Sequence, residues 1–191
     1  MREFAKVLGH GMSAFFESPF FYPIHGRNVR DARGHFFALR AVRPELRAVL
    51  LLDGDNRDLP DHDTAADDLT VLCWERYEIE NYLLHPDSLL RFISGAAPDI
   101  FSAVQRRNGE KFLRDNLPPA AFTDPLRDSD YLIATPSSKT LIPGFLRSAG
   151  LALSKRDYFQ IAATMKAEEI HPEVKLKLDE MQRVLLPATS A

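Results

Sequence analysis

The sequence predicts an α/β fold, with a mostly parallel sheet flanked by helices and followed by a C-terminal helical extension. Its strongest signal is the continuous apolar run at residues 48–52, which is typical of a strand buried on both faces of a parallel sheet. A second strand is predicted at residues 69–74, and an amphipathic helix at residues 29–42 is ended by Pro44. A short aromatic strand at residues 19–24 completes the order strand, helix, strand, loop, strand, which favours this class.

The second half of the chain is predicted to be mainly helical, with Pro86 opening its first helix. We therefore expect an α/β core at residues 1–85 and a helical part at residues 86–191, packed on the core or following it. The further elements expected in that part are a loop at residues 117–128, a short strand at residues 131–133, a helix at residues 155–165 capped by Ser154, and a last helix opened by His171-Pro172-Glu173 that reaches about Leu185.

The composition is that of an ordinary globular protein, with 191 residues of which 45% are hydrophobic and 27% charged. A net charge of -3 provides no global basic signature, so any contact with nucleic acid has to come from a local patch. A single cysteine excludes an internal disulfide framework and fits a cytoplasmic location. No apolar run approaches the roughly 18 residues of a membrane span, so we expect no membrane association.

The local basic candidate is a set of arginines along the helix predicted at residues 29–42 and its flanks. Such residues can follow a phosphate backbone, although they more often form a solvated face of a helix. Both interpretations stay open. The set consists of Arg27, Arg30, Arg33, Arg40, Arg43 and Arg47.

An acidic motif follows the first buried strand directly, as Asp53-Gly54-Asp55. Ligands of open α/β sheets gather at the carboxyl ends of the strands. Two neighbouring carboxylates repel each other unless a cation is present, and Mg²⁺ or Mn²⁺ prefers such hard oxygen ligands. The alternative is an ordinary Asp-Gly turn in a surface loop.

A second acidic cluster, Glu75, Glu78 and Glu80, follows the next predicted strand. Its side chains are therefore expected at the same edge of the sheet as Asp53. Glu80 lies near the start of a predicted helix, where a carboxylate is favoured. Taken alone, the three glutamates would more often form a solvated helix face.

Together the two acidic features resemble the TOPRIM domain of the OLD (overcoming lysogenization defect) family of ATPase-linked nucleases. In that family an apolar strand ends in Asp-x-Asp, and a polar loop, a short strand and a segment like Arg-x-Glu-Ile-Glu-Asn-Tyr-Leu-Leu follow. This chain has Arg-Tyr-Glu-Ile-Glu-Asn-Tyr-Leu-Leu at residues 76–84, and Gly26 with Asn28 resembles the turn after the family's second strand. The resemblance extends over roughly residues 19–185.

The resemblance implies a TOPRIM-like core that binds Mg²⁺ or Mn²⁺ through Asp53 and Asp55. Glu80 is the implied acidic partner, with Glu78 as the less certain alternative. A lysine in a small-residue turn that opens a helix corresponds to Lys139 in Pro136-Ser137-Ser138-Lys139, where it would stabilise charge on a scissile phosphate. The closing helices, including the segment that begins at Ser154-Lys155, are interpreted as structural.

The same resemblance implies partners. DNA is the expected substrate, often in defence against phage, and an ATPase domain is expected upstream in the same polypeptide or on a separate chain. A homo-oligomer is compatible with the sequence.

The family's first strand, which ends in Glu-Gly, has no counterpart before residue 19. We therefore expect the TOPRIM-like core to be incomplete at its N-terminal side and the isolated chain to have little or no nuclease activity. Two other interpretations stay open. One is a non-catalytic TOPRIM-like module that binds nucleic acid or a protein partner, and the other is an unrelated α/β domain with an incidental acidic loop.

Overall fold

The structure is a computed structural model that describes residues 1–24, 26, 28–57, 65–66, 68–95 and 100–186. Much of the polar loop after Asp55, and the sequence positions His25 and Arg27, lie outside the described residues. The strands are β1 (Ala48–Leu52), β2 (Ala65–Ala66) and β3 (Leu69–Cys73). The α-helices are α1 (Arg2–Val7), α2 (Met12–Phe15), α3 (Val29–Arg40), α4 (Pro86–Ser94), α5 (Ile100–Asn116), α6 (Pro119–Thr123), α7 (Asp130–Ala134), α8 (Leu141–Ser148), α9 (Phe159–Thr164) and α10 (Pro172–Leu185), and 3₁₀ helices lie at Ile79–Leu83, Lys155–Asp157 and Ala167–Glu169.

The described strands form one small sheet in the order β1-β3-β2. β1 and β3 are parallel, with Leu52 opposite Cys73 at their carboxyl ends, whereas β2 pairs with β3 in the antiparallel sense. An α/β architecture with a parallel strand pair is therefore confirmed. An apolar run like that of β1 also predicts a central strand, and this prediction is wrong for the described residues, since β3 is the only strand neighbour of β1 among them.

β1 is nevertheless covered on both faces, as its apolar run predicts. Leu50 and Leu52 point into a small core beside α3, while Val49 and Leu51 pack against a larger main core. Alternate side chains of a strand point to opposite faces, so each face of β1 contributes to a different cluster. The small core is formed by Val29, Phe36, Leu50, Leu52 and Leu69.

The main core joins segments from both halves of the chain. It contains buried side chains of α1 and α2, of the end of β3, and of every helix from α4 to α10. Phe4, Ala5 and Met12 are among them, next to residues such as Ile161 and Leu178. The helices of the second half thus pack on elements of the first half.

Several predicted helices are confirmed, and local signals in the sequence explain where they begin. Asn28 caps α3, its side-chain oxygen accepting a hydrogen bond from the Asp31 N–H, and α3 ends at Arg40, two residues before the predicted end. Proline occupies the first position of both α4 and α10, where no backbone donor is needed. Among the described residues no helix has the length and apolar composition required to cross a membrane.

Three local predictions were wrong. Residues 19–24 form no strand, since two prolines flank the aromatic run and its side chains are exposed. The loop expected at residues 117–128 contains the short helix α6, which Pro119 opens, and the strand expected at residues 131–133 is the helix α7, capped by Ser129.

The helix expected at residues 155–165 is divided. Residues Lys155–Asp157 form a 3₁₀ turn and α9 begins at Phe159. The Ser154 hydroxyl donates to the Asp157 carboxylate at 2.5 Å instead of accepting from a backbone N–H. This turn brings Lys155 towards the acidic edge of the sheet.

Candidate functional site

The parallel pairing of β1 and β3 brings the two acidic segments to one edge of the sheet. Asp53 follows the last residue of β1, and the chain after Cys73 runs past it to the 3₁₀ helix. A side-chain oxygen of Asp53 accepts a hydrogen bond from the Ile79 N–H at 3.4 Å. The predicted juxtaposition of these acidic segments is therefore present.

Gly54 allows the two segments to come this close. A Cβ atom at this position would lie 2.4 Å from the Arg76 carbonyl oxygen and 2.7 Å from that of Trp74. The next residue, Asp55, has a φ of 51° and donates its backbone N–H to the Tyr77 carbonyl at 2.9 Å. The Asp-Gly-Asp turn is thus attached to the backbone that leads to the glutamates.

Glu78 is fixed by a set of hydrogen-bond donors from a distant turn. Its carboxylate accepts from the Ser138 N–H at 2.6 Å and from the Ser138 hydroxyl at 2.8 Å, and the Ser137 hydroxyl lies 3.5 Å away. Burial favours the neutral acid, but the donors of Ser138 and the charge of Lys155 outweigh it and lower the pKa of Glu78. The carboxylate is therefore held in its ionised form.

Glu80 is buried in the 3₁₀ helix after β3, and only one of its two carboxylate oxygens has a partner among the described residues. Its Oε1 lies 3.0 Å from the ammonium of Lys155, whereas its Oε2 is buried without a hydrogen-bond partner among the described residues. Burial raises the pKa of Glu80, and the neighbouring charge of Glu78 adds to the rise, although Lys155 opposes both. Burial also raises the pKa of Asp53, with Glu78 and Asp55 acting in the same direction.

Lys155 is the residue that the sequence reasoning missed, because it was assigned to a structural closing helix. Its Nζ lies 3.2 Å from Glu78, 3.0 Å from Glu80 and 3.2 Å from the Ser138 hydroxyl. Burial acts to lower the pKa of Lys155, but the two carboxylates raise it overall. The sequence did contain a signal for Lys155. This lysine stands at the start of a helical turn, where the helix dipole disfavours a cation.

The predicted catalytic lysine, Lys139, lies elsewhere. Its side chain is exposed and makes no ion pair or hydrogen bond with the residues that the structure describes. The segment Pro136–Thr140 does reach the site, but through Ser137 and Ser138, which bind Glu78.

Two neighbours of the glutamates support the site without taking part in it. Arg76 is fully buried, pairs with Asp128 at 2.8 Å and donates to the Pro125 carbonyl, so it anchors the segment after β3. Asn81 is also fully buried and donates to the carbonyls of Leu132 and Thr135.

A cavity of about 250 Å³ opens beside Glu80 and Lys155. Its walls are mainly apolar, with Phe4, Leu83 and Tyr158 among the lining residues. The Glu80–Lys155 ion pair is among the polar groups that line this cavity, together with Arg2, Glu3 and Arg156.

Two of the predicted carboxylates, Glu78 and Glu80, share the ammonium of Lys155. Asp53 lies beside them through its hydrogen bond from the Ile79 N–H, and the contact shown for Asp55 is made by its backbone N–H. Within the described part of the chain, no three His, Cys, Asp or Glu side chains are already arranged to hold a metal ion. The ammonium of Lys155 lies between the two glutamates instead. Chemically, the edge can bind a cation, or it can present a lysine to an anionic group.

Comparison of the chain with protein-family models, with curated proteins and with solved structures finds no match. A functional assignment therefore depends on the geometry of this edge.

Proposed function

We propose that this chain is a divalent-metal-dependent nuclease domain of the TOPRIM type, acting on DNA as part of an OLD-like, ATPase-linked endonuclease. One observation carries the proposal. Asp53, at the end of β1, and the segment with Glu78 and Glu80, after β3, meet at the carboxyl edge of a parallel strand pair. Ligands of open α/β folds bind at such an edge.

The carboxylate oxygens at this edge are of the type that Mg²⁺ and Mn²⁺ prefer. Glu80 supplies a buried oxygen without a hydrogen-bond partner among the described residues, and a bound cation would satisfy it. Asp53, Asp55 and Glu80 would hold the metal, with Glu78 as a further ligand. When bound, the metal would lower the pKa of a water molecule and offset charge on a phosphate.

The chain's own side chains have separate tasks in this proposal. Ser138 and Ser137 orient Glu78, and the Ile79 N–H orients Asp53. Lys155, half-exposed beside the carboxylates, is the cation placed to contact a phosphate at the site. Lys139 is exposed and directly follows Ser137 and Ser138, which together with Pro136 form the serine turn. Its predicted role requires a substrate that extends along this surface.

A second candidate is a non-catalytic TOPRIM-like module that binds nucleic acid or a protein partner. The ion pairs of Lys155 favour it, because an internal cation already neutralises part of the acidic edge. Of the predicted arginine set, Arg40 pairs with Asp68, and Arg47 lies 3.9 Å from the same carboxylate. Arg30 is exposed and would remain for phosphate contacts, while the exposed Arg43 lies 3.7 Å from the Glu45 carboxylate.

Cleavage of supercoiled plasmid with Mn²⁺ tests the nuclease proposal, using the chain and any longer natural polypeptide that contains it. Asp55→Asn and Glu80→Gln remove proposed ligands and should each slow cleavage at least about tenfold, the scale found when support of a metal site is lost. Asp115→Asn, an exposed acid of α5, is the matched control and should cleave like the parent protein.

Two results would contradict the nuclease proposal. One is an absence of cleavage by the longer polypeptide with every divalent metal, and the other is equal cleavage by the Glu80→Gln variant of that polypeptide. Retained DNA binding in either case would support the module that binds without catalysis.

A further inference from the structure

Lys155 occupies the position of a bound cation in the acidic site. Its Nζ has three oxygen neighbours at 3.0–3.2 Å, one each from Glu78, Glu80 and Ser138. Two of these oxygens are carboxylate oxygens, and the hydroxyl of Ser138 is fixed by its own hydrogen bond to Glu78. The same set of hard oxygens would suit a divalent metal ion.

The two sides of this ion pair differ in how easily they can move. The side chains of Glu78 and Glu80 are only 6% and 11% exposed, whereas that of Lys155 is 55% exposed. Lys155 also lies in a 3₁₀ turn of three residues and can turn its flexible side chain into solvent without unpacking the core. The glutamates are held in place by packing and by the serine turn.

Departure of Lys155 would leave two buried carboxylates without their shared counter-charge. Such unpaired buried charges are strongly unfavourable, so departure of the lysine favours the entry of another cation. Glu80 Oε2, which has no partner among the described residues, is available to that cation as an additional ligand.

We infer that the Lys155 ammonium is an exchangeable internal cation, which closes the acidic site until a divalent metal ion displaces it. This inference rests on the proposed function, since it concerns how the same site is loaded. Displaced Lys155 would remain beside the metal, with its ammonium free for an anionic phosphate. The site would therefore alternate between a lysine-neutralised state and a metal-loaded state.

The first test uses the unaltered protein and the chemical reactivity of its lysines. An amine-reactive acylating reagent is applied with and without Mg²⁺, and the modification of each lysine is measured by mass spectrometry. Lys155 should be modified several times faster when Mg²⁺ is present, while the exposed Lys139 serves as an internal control and should not change. Equal modification of Lys155 in both conditions would overturn the inference.

The second test measures Mn²⁺ binding by calorimetric titration to the Lys155→Met and Lys139→Met variants. Removal of the competing ammonium should tighten Mn²⁺ binding about tenfold or more in Lys155→Met. In the parent protein Mn²⁺ can bind only those molecules in which Lys155 has left the carboxylates, and the variant does not have this requirement. Lys139→Met should bind like the parent protein. Unchanged or weaker binding by Lys155→Met would contradict the exchange.

Plasmid cleavage distinguishes the failure of this inference from the failure of the proposed function. If cleavage depends on Asp55 and Glu80 but Lys155→Met binds Mn²⁺ no more tightly than the parent protein does, only the inferred exchange of Lys155 for a metal ion is wrong. If Lys155→Met binds Mn²⁺ tightly and no protein cleaves DNA, the exchange stands and the nuclease proposal is wrong.

Discussion

Gly54 shows how one residue determines the geometry of the acidic edge. Its α-carbon lies against the backbone carbonyls of Trp74 and Arg76, and no side chain fits between them. Backbone atoms cannot rotate away as the end of a flexible side chain can. The chain after β1 and the chain after β3 are therefore in contact because this position has no Cβ atom.

We expect Gly54→Ala to lower the free energy of unfolding by about 3 kcal/mol, the upper range for overpacking of a close-packed site. The matched control is Gly34→Ala in α3, where an added Cβ meets nothing within 4 Å. That change should raise stability by about 0.5–1 kcal/mol, because alanine favours the helix more than glycine does. Urea denaturation measures both, and a Gly54→Ala variant as stable as the parent would contradict the close contact.

The 3₁₀ helix at Ile79–Leu83 connects the strand edge to the helical part of the molecule. Asn81 makes the principal connection, since its amide donates to Leu132 at 2.6 Å and to Thr135 at 2.9 Å. Its side-chain oxygen accepts from the Ser137 hydroxyl at 2.8 Å. One buried amide thus connects α7 and Ser137 to the segment that carries Glu78 and Glu80.

Replacement of Asn81 by alanine should cost about 3 kcal/mol of stability. The change leaves buried carbonyl groups without their donors, and such groups are expensive to bury unpaired. Asn116→Ala is the control, since its exposed amide donates to the Phe112 carbonyl within its own helix, and it should change stability by less than about 0.5 kcal/mol. Thermal unfolding compares the two, and equal effects would show that Asn81 does not join these elements.

Across the whole molecule, α1 is part of the main core. Phe4 is 3% exposed, and α1 contacts both α9 and α10. His10, which follows α1, also pairs with Asp179 of α10 at 3.0 Å. Segments more than 150 positions apart in sequence therefore stabilise each other.

Phe4→Ala should accordingly lower the free energy of unfolding by about 3–5 kcal/mol, as expected for loss of a buried aromatic ring. Phe20→Ala provides the comparison, because that ring is 76% exposed and its loss should change stability by less than about 0.5 kcal/mol. Guanidinium denaturation followed by circular dichroism measures both variants. A small effect at Phe4 would mean that α1 is not an integral part of the core.

Several elements could be predicted from the sequence because their signals are local. The apolar run of β1, its acidic end at Asp53, the proline that opens α4 and the limits of α10 are all encoded within a few neighbouring residues. Strand burial, helix capping and proline geometry act over one or two turns of chain. The common edge for Asp53 and the glutamates followed from the parallel pairing of two such strands.

The remaining features depended on contacts between distant segments. Tyr131-Leu132-Ile133 has the composition of a strand but forms a helix, because Ser129 caps it and Leu132 is buried in the main core. Lys155 meets Glu78 across 77 positions, and Ser138 reaches the same carboxylate across 60. Local propensity is worth only tenths of a kcal/mol per residue, whereas burial of a large apolar side chain is worth several times more. The sequence by itself therefore determined which acids end the strands, and only the tertiary structure decided which cation they meet.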